Sequence, residues 1–338
     1  MRSLDTRSQL SKNRSKVLIT GINGFAGSHL ADLLVSEGRQ VFGMTLSNNL
    51  ENLAQIASQI SVAYGDIRDA QAVKKIVAQV QPDYLYHLAG SAFVPDAEAN
   101  AILVYEVNLM GTLNVLEAVR SLFLKTRVLV VGSGEVYGAV SNEHLPVNEG
   151  HSLRPTTPYG VTKACADLAA NQYATAYQTD VVRVRAFNHT GPRQSEQFVC
   201  SGFAKQLVEI ESGIRKPLLH VGNLETRRDF SDVRDVVRGY RTILEEGRRG
   251  EVYHIGSGTA WKIGDLLRIL LGKSSAGNIG LQQDPARLRS NDLPLMLCDA
   301  SKLHRELGWK PEIPLEQTLH DLLEYWRERS MQDVPHEI

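Results

Sequence analysis

A β-branched run, Lys16 to Thr20 (KVLIT), passes without a break into Gly21-Ile22-Asn23-Gly24-Phe25-Ala26-Gly27, and an amphipathic stretch from Phe25 to Glu37 follows at once. A strand that ends on closely spaced glycines and opens a helix admits few folds. Glycines let the backbone turn sharply and approach a phosphate, whose charge the free N–H groups of the helix start favour. A turn that needs positive φ would use glycine as well. The position, after the first strand and before the first helix, selects the dinucleotide-binding reading. Gly21, Asn23, Gly24, Phe25 and Gly27 are therefore candidate cofactor contacts.

The first half continues the alternation. Gln40 to Leu46, Tyr84 to Leu88, Arg127 to Gly132 and Asp180 to Arg185 read as buried strands, with helical patterns over Gln71 to Gln79 and Leu103 to Phe123. Repetition of strand and helix implies parallel strands joined by right-handed crossovers, hence a doubly wound α/β sheet of the Rossmann kind. Beyond about residue 187 the strands shorten and Gly, Pro and Arg become frequent. The expected organisation is a disordered tail over 1–15 and a dinucleotide-binding domain over 16–186, with return segments near 229–255. A smaller, loop-rich substrate domain follows over 187–330, above the carboxyl edge of the sheet.

Composition narrows the partners. A net charge of -1 gives no reason to expect nucleic acid or an anionic membrane. No apolar run reads as the roughly 20 residues a bilayer span needs, and the first fifteen residues lack the apolar centre of a signal peptide. Cys165, Cys200 and Cys298 lie far apart with no CxxC pair, so they read as reduced packing residues, with no disulfide and no metal site. A cytoplasmic protein is the expectation.

Tyr159-Gly160-Val161-Thr162-Lys163 is the second anchor. Tyr and Lys four apart share one helix face, so both heads can meet one cofactor. A free tyrosine, with a pKa of about 10, exchanges protons poorly near neutrality. A neighbouring ammonium and a positive nicotinamide are expected to lower that pKa. Ser133, just after the strand RVLVVG, would project its hydroxyl over the sheet edge. Taken alone a YxxxK is common by chance; after a glycine loop and a serine-bearing strand end it points to proton transfer beside a nicotinamide.

These residues resemble the extended short-chain dehydrogenase/reductase family over residues 16 to about 327. Further matches are His87-Leu88-Ala89-Gly90, Asn108 within Val107 to Thr112, and Pro158-Tyr159-Gly160. The resemblance implies Tyr159 as general acid/base, Lys163 as ribose holder and tuner of Tyr159, and Ser133 as the group that orients the substrate oxygen. It adds Asp66 as an adenine contact, with Ile67, Leu88 and Ala89 along the cofactor. The plainer alternative for Asp66 is a solvated turn residue. Gly43 to Asn48, at the end of the second strand, holds neither the acid of an NAD-specific protein nor an arginine for a 2'-phosphate. Both NAD and NADP stay open, and the missing carboxylate tilts the choice toward NADPH.

In the second half, Phe187 to Pro192, Val221 to Leu224, Arg228 to Asp235 and Leu307 to Pro311 resemble the nucleotide-sugar branch. The likeness is greatest to bacterial GDP-4-keto-6-deoxy-mannose reductases, with GDP-mannose 4,6-dehydratases close by. It implies a GDP-linked sugar whose diphosphate is clamped by Arg228 and Arg289, with Asn188, Lys205 and Asn223 also on the substrate side. Guanidinium forks pair bidentately with phosphate oxygens. Arg193 stands where the reductases usually have Gly, Ser290 where Pro is usual, and Ala92 where a Ser is common. These departures leave the sugar open.

Ser133-Gly134-Glu135-Val136-Tyr137 bears on the reaction. A dehydratase needs a base for the C5 proton beyond the Tyr-Lys pair, and Glu135 could serve. Similar reductases also keep an acid there, so Glu135 does not decide. Reduction of a 4-keto sugar to GDP-rhamnose is the first reading; a GDP-sugar dehydratase, an epimerase and a non-catalytic NAD(P)-binding regulator are the alternatives. The resemblance also implies a homodimer through Leu103 to Phe123 and Tyr159 to Tyr177, with Leu109, Leu113, Leu116, Ala164, Leu168 and Ala169 along the seam.

Overall fold

The computed structural model describes residues 15–92, 100–288 and 293–332. Its centre is a seven-stranded parallel sheet in the order β10-β6-β5-β4-β1-β2-β3. The strands are β1 (Lys16–Thr20), β2 (Gln40–Thr45), β3 (Ile60–Tyr64), β4 (Tyr84–His87), β5 (Arg127–Ser133), β6 (Val181–Ala186) and β10 (Val252–Ile255). The chain runs outward from β1 to β2 and β3, then returns to β4 on the other side. The crevice at that reversal, beyond the carboxyl ends, is where open α/β sheets bind ligands. Expected strands and observed strands differ by a residue at their ends; β3 was not foreseen, and β10 falls within the return segments expected near 229–255.

Helices cover both faces. Helix α1 (Phe25–Ser36) packs with α6 (Val233–Glu246) over one apolar cluster that includes Ile19, Leu30, Leu34, Val184 and Tyr240. Helices α2 (Ala70–Val80), α3 (Ala101–Ser121) and α4 (Pro158–Ala176) cover the other, around Leu18, Val77, Leu116 and Val130. A third cluster joins α5 (Val199–Glu211), α7 (Ile263–Lys273) and α9 (Leu315–Gln332) through Phe203, Leu207, Leu266, Leu319 and Leu323. Short strands β7 (Asn188–Thr190) and β9 (Arg227–Asp232) lead from the main sheet into that lobe. Beside β9 pair β11 (Ala260–Lys262) and β13 (Leu295–Met296), β8 (Leu218–Val221) pairs with β12 (Gly280–Gln283), and α8 (Ser301–Leu307) packs beside β10.

Three expectations change. Residues 1–14 lie outside the described residues, but Ser15, assigned to the tail, is buried, and its hydroxyl accepts a 2.6 Å hydrogen bond from Arg39 Nη1. Helix α3 is long and apolar enough to cross a membrane by length and composition, with a mean hydropathy of 1.3. Asn108, Thr112 and Asn114 punctuate its apolar run and hid it from inspection. Here it packs with α2 and α4, and 44% of the apolar window is buried. Third, Leu116 and Ala164 lie inside the protein instead of on an outer seam. The exposed apolar side chains on this side are Ile102, Leu103, Met110 and Leu168.

Candidate active site

A cavity of about 690 Å³ opens along the carboxyl ends of β1, β4, β5 and β6. One wall is the glycine loop, through Gly21, Gly24, Phe25, Ala26 and Gly27. Gly21 has φ +73°, and a Cβ there would fall 2.9 Å from Ala89 Cα. A Cβ on Gly27 would lie 2.2 Å from the Gly21 carbonyl oxygen, so no other residue fits. Gly24 caps α1 with no side-chain hydrogen bond and no acid stands in the first turn. The free N–H groups of that turn therefore meet an open cradle, a fit for a dinucleotide's pyrophosphate. Asn23 buttresses the cradle: it accepts from Thr45 Oγ1 at 2.7 Å and donates to the Asn49 carbonyl at 2.9 Å.

Ser133, Glu135, Tyr159 and Lys163 all line the same cavity. Strand β5 runs one residue further than foreseen, to Ser133, whose hydroxyl accepts from the Glu135 N–H at 3.2 Å and lies close enough to the Tyr159 phenol to act on its pKa. Thr157 caps α4 by accepting from the Gly160 N–H at 3.1 Å, which fixes where Tyr159 leaves the first turn. Lys163, one turn on, donates to the Val131 carbonyl at 2.9 Å. Burial pushes the Tyr159 phenol up to about 12, against the pull of the Ser133 hydroxyl, and the Glu135 carboxylate pushes it further. The expected lowering requires the positive nicotinamide beside the phenol; in the chain alone, burial dominates. Burial also brings Lys163 down to about 8. At neutral pH the pair is a protonated phenol beside an ammonium.

A buried hydrogen-bond chain holds this end. Asn108, in a π-helical turn (Glu106–Met110) of α3, donates to Thr162 Oγ1 at 3.1 Å, and Thr162 donates to the Tyr159 carbonyl at 2.8 Å. Thr112 donates to the Asn108 carbonyl at 2.6 Å, so it must accept from His87 Nε2, 3.0 Å away. His87 Nδ1 is then the acceptor for Thr20 Oγ1 at 2.8 Å, while Thr20 accepts the Ala89 N–H at 3.2 Å. The bonds thus select one neutral tautomer. Burial brings the His87 pKa down to about 3, which keeps the ring uncharged.

The other foreseen contacts divide. Leu88 and Asn188 are in the cavity wall. Ala89 packs behind Gly21 and supports the wall from inside, whereas Ile67 packs against Gly111; neither Ala89 nor Ile67 is in the wall. Asp66 is outside it and is gripped by the Arg68 guanidinium, with a bond of 2.6 Å that lowers its pKa. Lys205 pairs with Glu196 at 3.1 Å and sits over the Trp326 ring, behind the wall. Asn223 accepts from the Glu225 N–H, and Arg228 donates to the Leu293 carbonyl at 2.6 Å; neither is in the wall, although Met296, the register partner of Arg228, is. Arg289 and Ser290 lie outside the described residues. Unforeseen wall residues include His189, stacked on Phe25, and Arg193, paired with Asp32 at 2.7 Å. Glu51 and, from α9, Tyr325, Trp326 and Arg329 complete the far end. No local pattern flags them, because they meet only in the fold.

Residues 18–322 match the profile of the GDP-mannose 4,6 dehydratase family. The chain belongs to that family. Among its relatives is the GDP-6-deoxy-D-mannose reductase of Pseudomonas aeruginosa, 31% identical over 93% of this chain and 98% of the relative. The GDP-mannose 4,6-dehydratase of Vibrio cholerae is 28% identical over 92% of this chain and 93% of its own. In structure the chain is similar to RMD from Pseudomonas aeruginosa complexed with NADPH, with a TM-score of 0.82 and 30% identity over 93% and 99% of the two chains. Family membership thus includes reductases and dehydratases of GDP-linked sugars.

Proposed function

We propose that this chain uses NAD(P)H to reduce the 4-keto group of GDP-4-keto-6-deoxy-mannose, giving GDP-rhamnose. The observation that carries this reading is the placement of Ser133, Tyr159 and Lys163 in one cavity wall with the glycine loop, in a chain 31% identical to a GDP-6-deoxy-D-mannose reductase. When bound, the cofactor supplies the hydride. Ser133 and Tyr159 together hold the C4 oxygen; as negative charge develops there, Tyr159 passes it a proton. A dehydratase must begin in the opposite sense, with the phenol accepting a proton from a C4 hydroxyl. Lys163 holds the ribose beside Tyr159, and Asn188 contacts the sugar phosphate. Arg228, which the resemblance places on the diphosphate, is held on the Leu293 carbonyl outside the cavity wall and is not among the contacts proposed.

The dehydratase stays as second reading because Glu135 borders the cavity close enough to Tyr159 to act on its pKa. The end of β2 itself, Gly43 to Asn48, carries no acid, which supports NADPH over NADH. The free thiols of Cys165, Cys200 and Cys298 agree with action in the cytoplasm. Exposed Ile102, Leu103, Met110 and Leu168 support a homodimer through α3 and α4. Purified protein mixed with GDP-4-keto-6-deoxy-mannose and NADPH should consume the reduced nicotinamide and yield GDP-rhamnose. No consumption with either NADPH or NADH would reject the reductase.

A further inference from the structure

Two segments 278 residues apart meet at the outer end of the cavity. The connection after β2 supplies Asn49, Glu51 and Asn52; helix α9 supplies Tyr325, Trp326 and Arg329. Arg329 grips Glu51 with both prongs: Nη1 lies 2.6 Å from Oε1, and Nη2 donates to Oε2 at 3.2 Å. Nη1 also donates to the Tyr325 hydroxyl at 3.1 Å, and the guanidinium lies 5.7 and 5.9 Å from the Tyr325 and Trp326 ring centres. Trp326 is itself fixed, donating from Nε1 to Ser201 Oγ at 3.0 Å. On the other side, Asn52 donates to the Asn23 carbonyl at 3.0 Å, so the Glu51 segment is tied to the glycine loop. The ion pair therefore fastens α9 to the phosphate cradle.

In a doubly wound sheet the adenosine ribose lies at the carboxyl end of the strand after the glycine-loop helix. That strand is β2, which ends at Thr45, just before the segment that carries Glu51. We propose that α9 is the outer wall of the cofactor's adenosine end, and that Glu51–Arg329 is the clasp holding that wall against a bound dinucleotide. This rests on the dinucleotide reading above, not on which sugar is reduced. Isolated exposed ion pairs contribute little, but this one is a two-pronged fork backed by two aromatic rings. Its opening would free the path by which a cofactor leaves.

The test measures NADPH and NADH binding to the full chain without sugar, by energy transfer from tryptophan to the reduced nicotinamide and by stopped-flow release. Arg329→Glu places like charges together and should raise both dissociation constants about tenfold through faster release. The exchanged pair, Arg329→Glu with Glu51→Arg, should return binding to within about threefold of wild type. Arg329→Gln, which keeps bulk and removes charge, serves if the reversal fails to fold, and should weaken binding about threefold. Wild-type affinity in a folded Arg329→Glu or Arg329→Gln protein would overturn the clasp. So would an exchanged pair as weak as the single variant. A working clasp in a protein that does not reduce the keto sugar would sink the reductase reading alone.

Discussion

At the inner end of the cavity, Ser133 closes β5 and Tyr159 stands on α4, which the buried chain His87–Thr112–Asn108–Thr162 ties to α3 and β4. At the outer end, Glu51, Glu196, Lys205 and Arg329 pair between partly solvated side chains. Buried hydrogen bonds cannot exchange with water and are costly to break, so the inner geometry is set before any ligand arrives. Solvated ion pairs are screened and exchange readily, so the outer end can open. Proton transfer needs the first property, and ligand entry needs the second.

The comparison is broken most directly at Tyr159. Tyr159→Phe removes one hydroxyl from the inner end and leaves the backbone chain intact; kcat should fall 10²–10⁴-fold, an order-of-magnitude expectation, with little change in thermal midpoint. Near-normal turnover would mean that the inner end does not carry the chemistry.

Acid should attack the buried polar framework. His87 and His254 are fully buried, and burial brings each down to about 3, against about 6.5 in an unfolded chain. As pH falls below about 6.5 the unfolded state takes up protons that the folded state refuses, so stability is lost. Each ring should contribute about 1.4 kcal/mol per pH unit between its two pKa values. Raised carboxyls, Asp229 and Glu149, oppose this where carboxylates titrate, so urea midpoints are best compared between about pH 6.5 and 5. A flat profile there would show that the rings titrate freely.

Glu135→Gln comes next. Under the reductase reading it should lower kcat by about tenfold or less, on the scale of one altered hydrogen bond. A loss of several orders of magnitude would make Glu135 a base. The smallest effect is expected at Arg228, held on the Leu293 carbonyl outside the wall: Arg228→Ala should change the sugar KM by about threefold or less. A rise of tenfold or more would show that this side chain swings onto the diphosphate.

The inner end was legible because its residues fall at sheet-edge positions with local signals: glycines after β1, a serine closing β5, and Tyr and Lys on one helical face. Strand β3 (ISVAY) escaped because it is a half-buried edge with few β-branched residues. Strand β10 is fully buried yet only four residues long, within a loop-rich stretch. At the outer end, Glu51 and Arg329 belong to helices with ordinary amphipathic patterns, and only tertiary folding makes them neighbours. Asp66 fits the family motif, but Arg68, two residues on, captures its carboxylate. The phenol's shift depended on burial, which a YxxxK spacing does not report.

Reduction and elimination differ at a carbon that only one of them touches. Protein incubated in deuterium oxide with GDP-mannose and NADP, and separately with GDP-4-keto-6-deoxy-mannose and NADPH, puts that difference into one product analysis. The reductase account predicts no conversion of GDP-mannose, and a GDP-rhamnose from the keto sugar with no deuterium placed at C5 by the enzyme. Deuterium at C5 of a product formed from GDP-mannose would contradict it and make the chain a dehydratase, with Glu135 as its base.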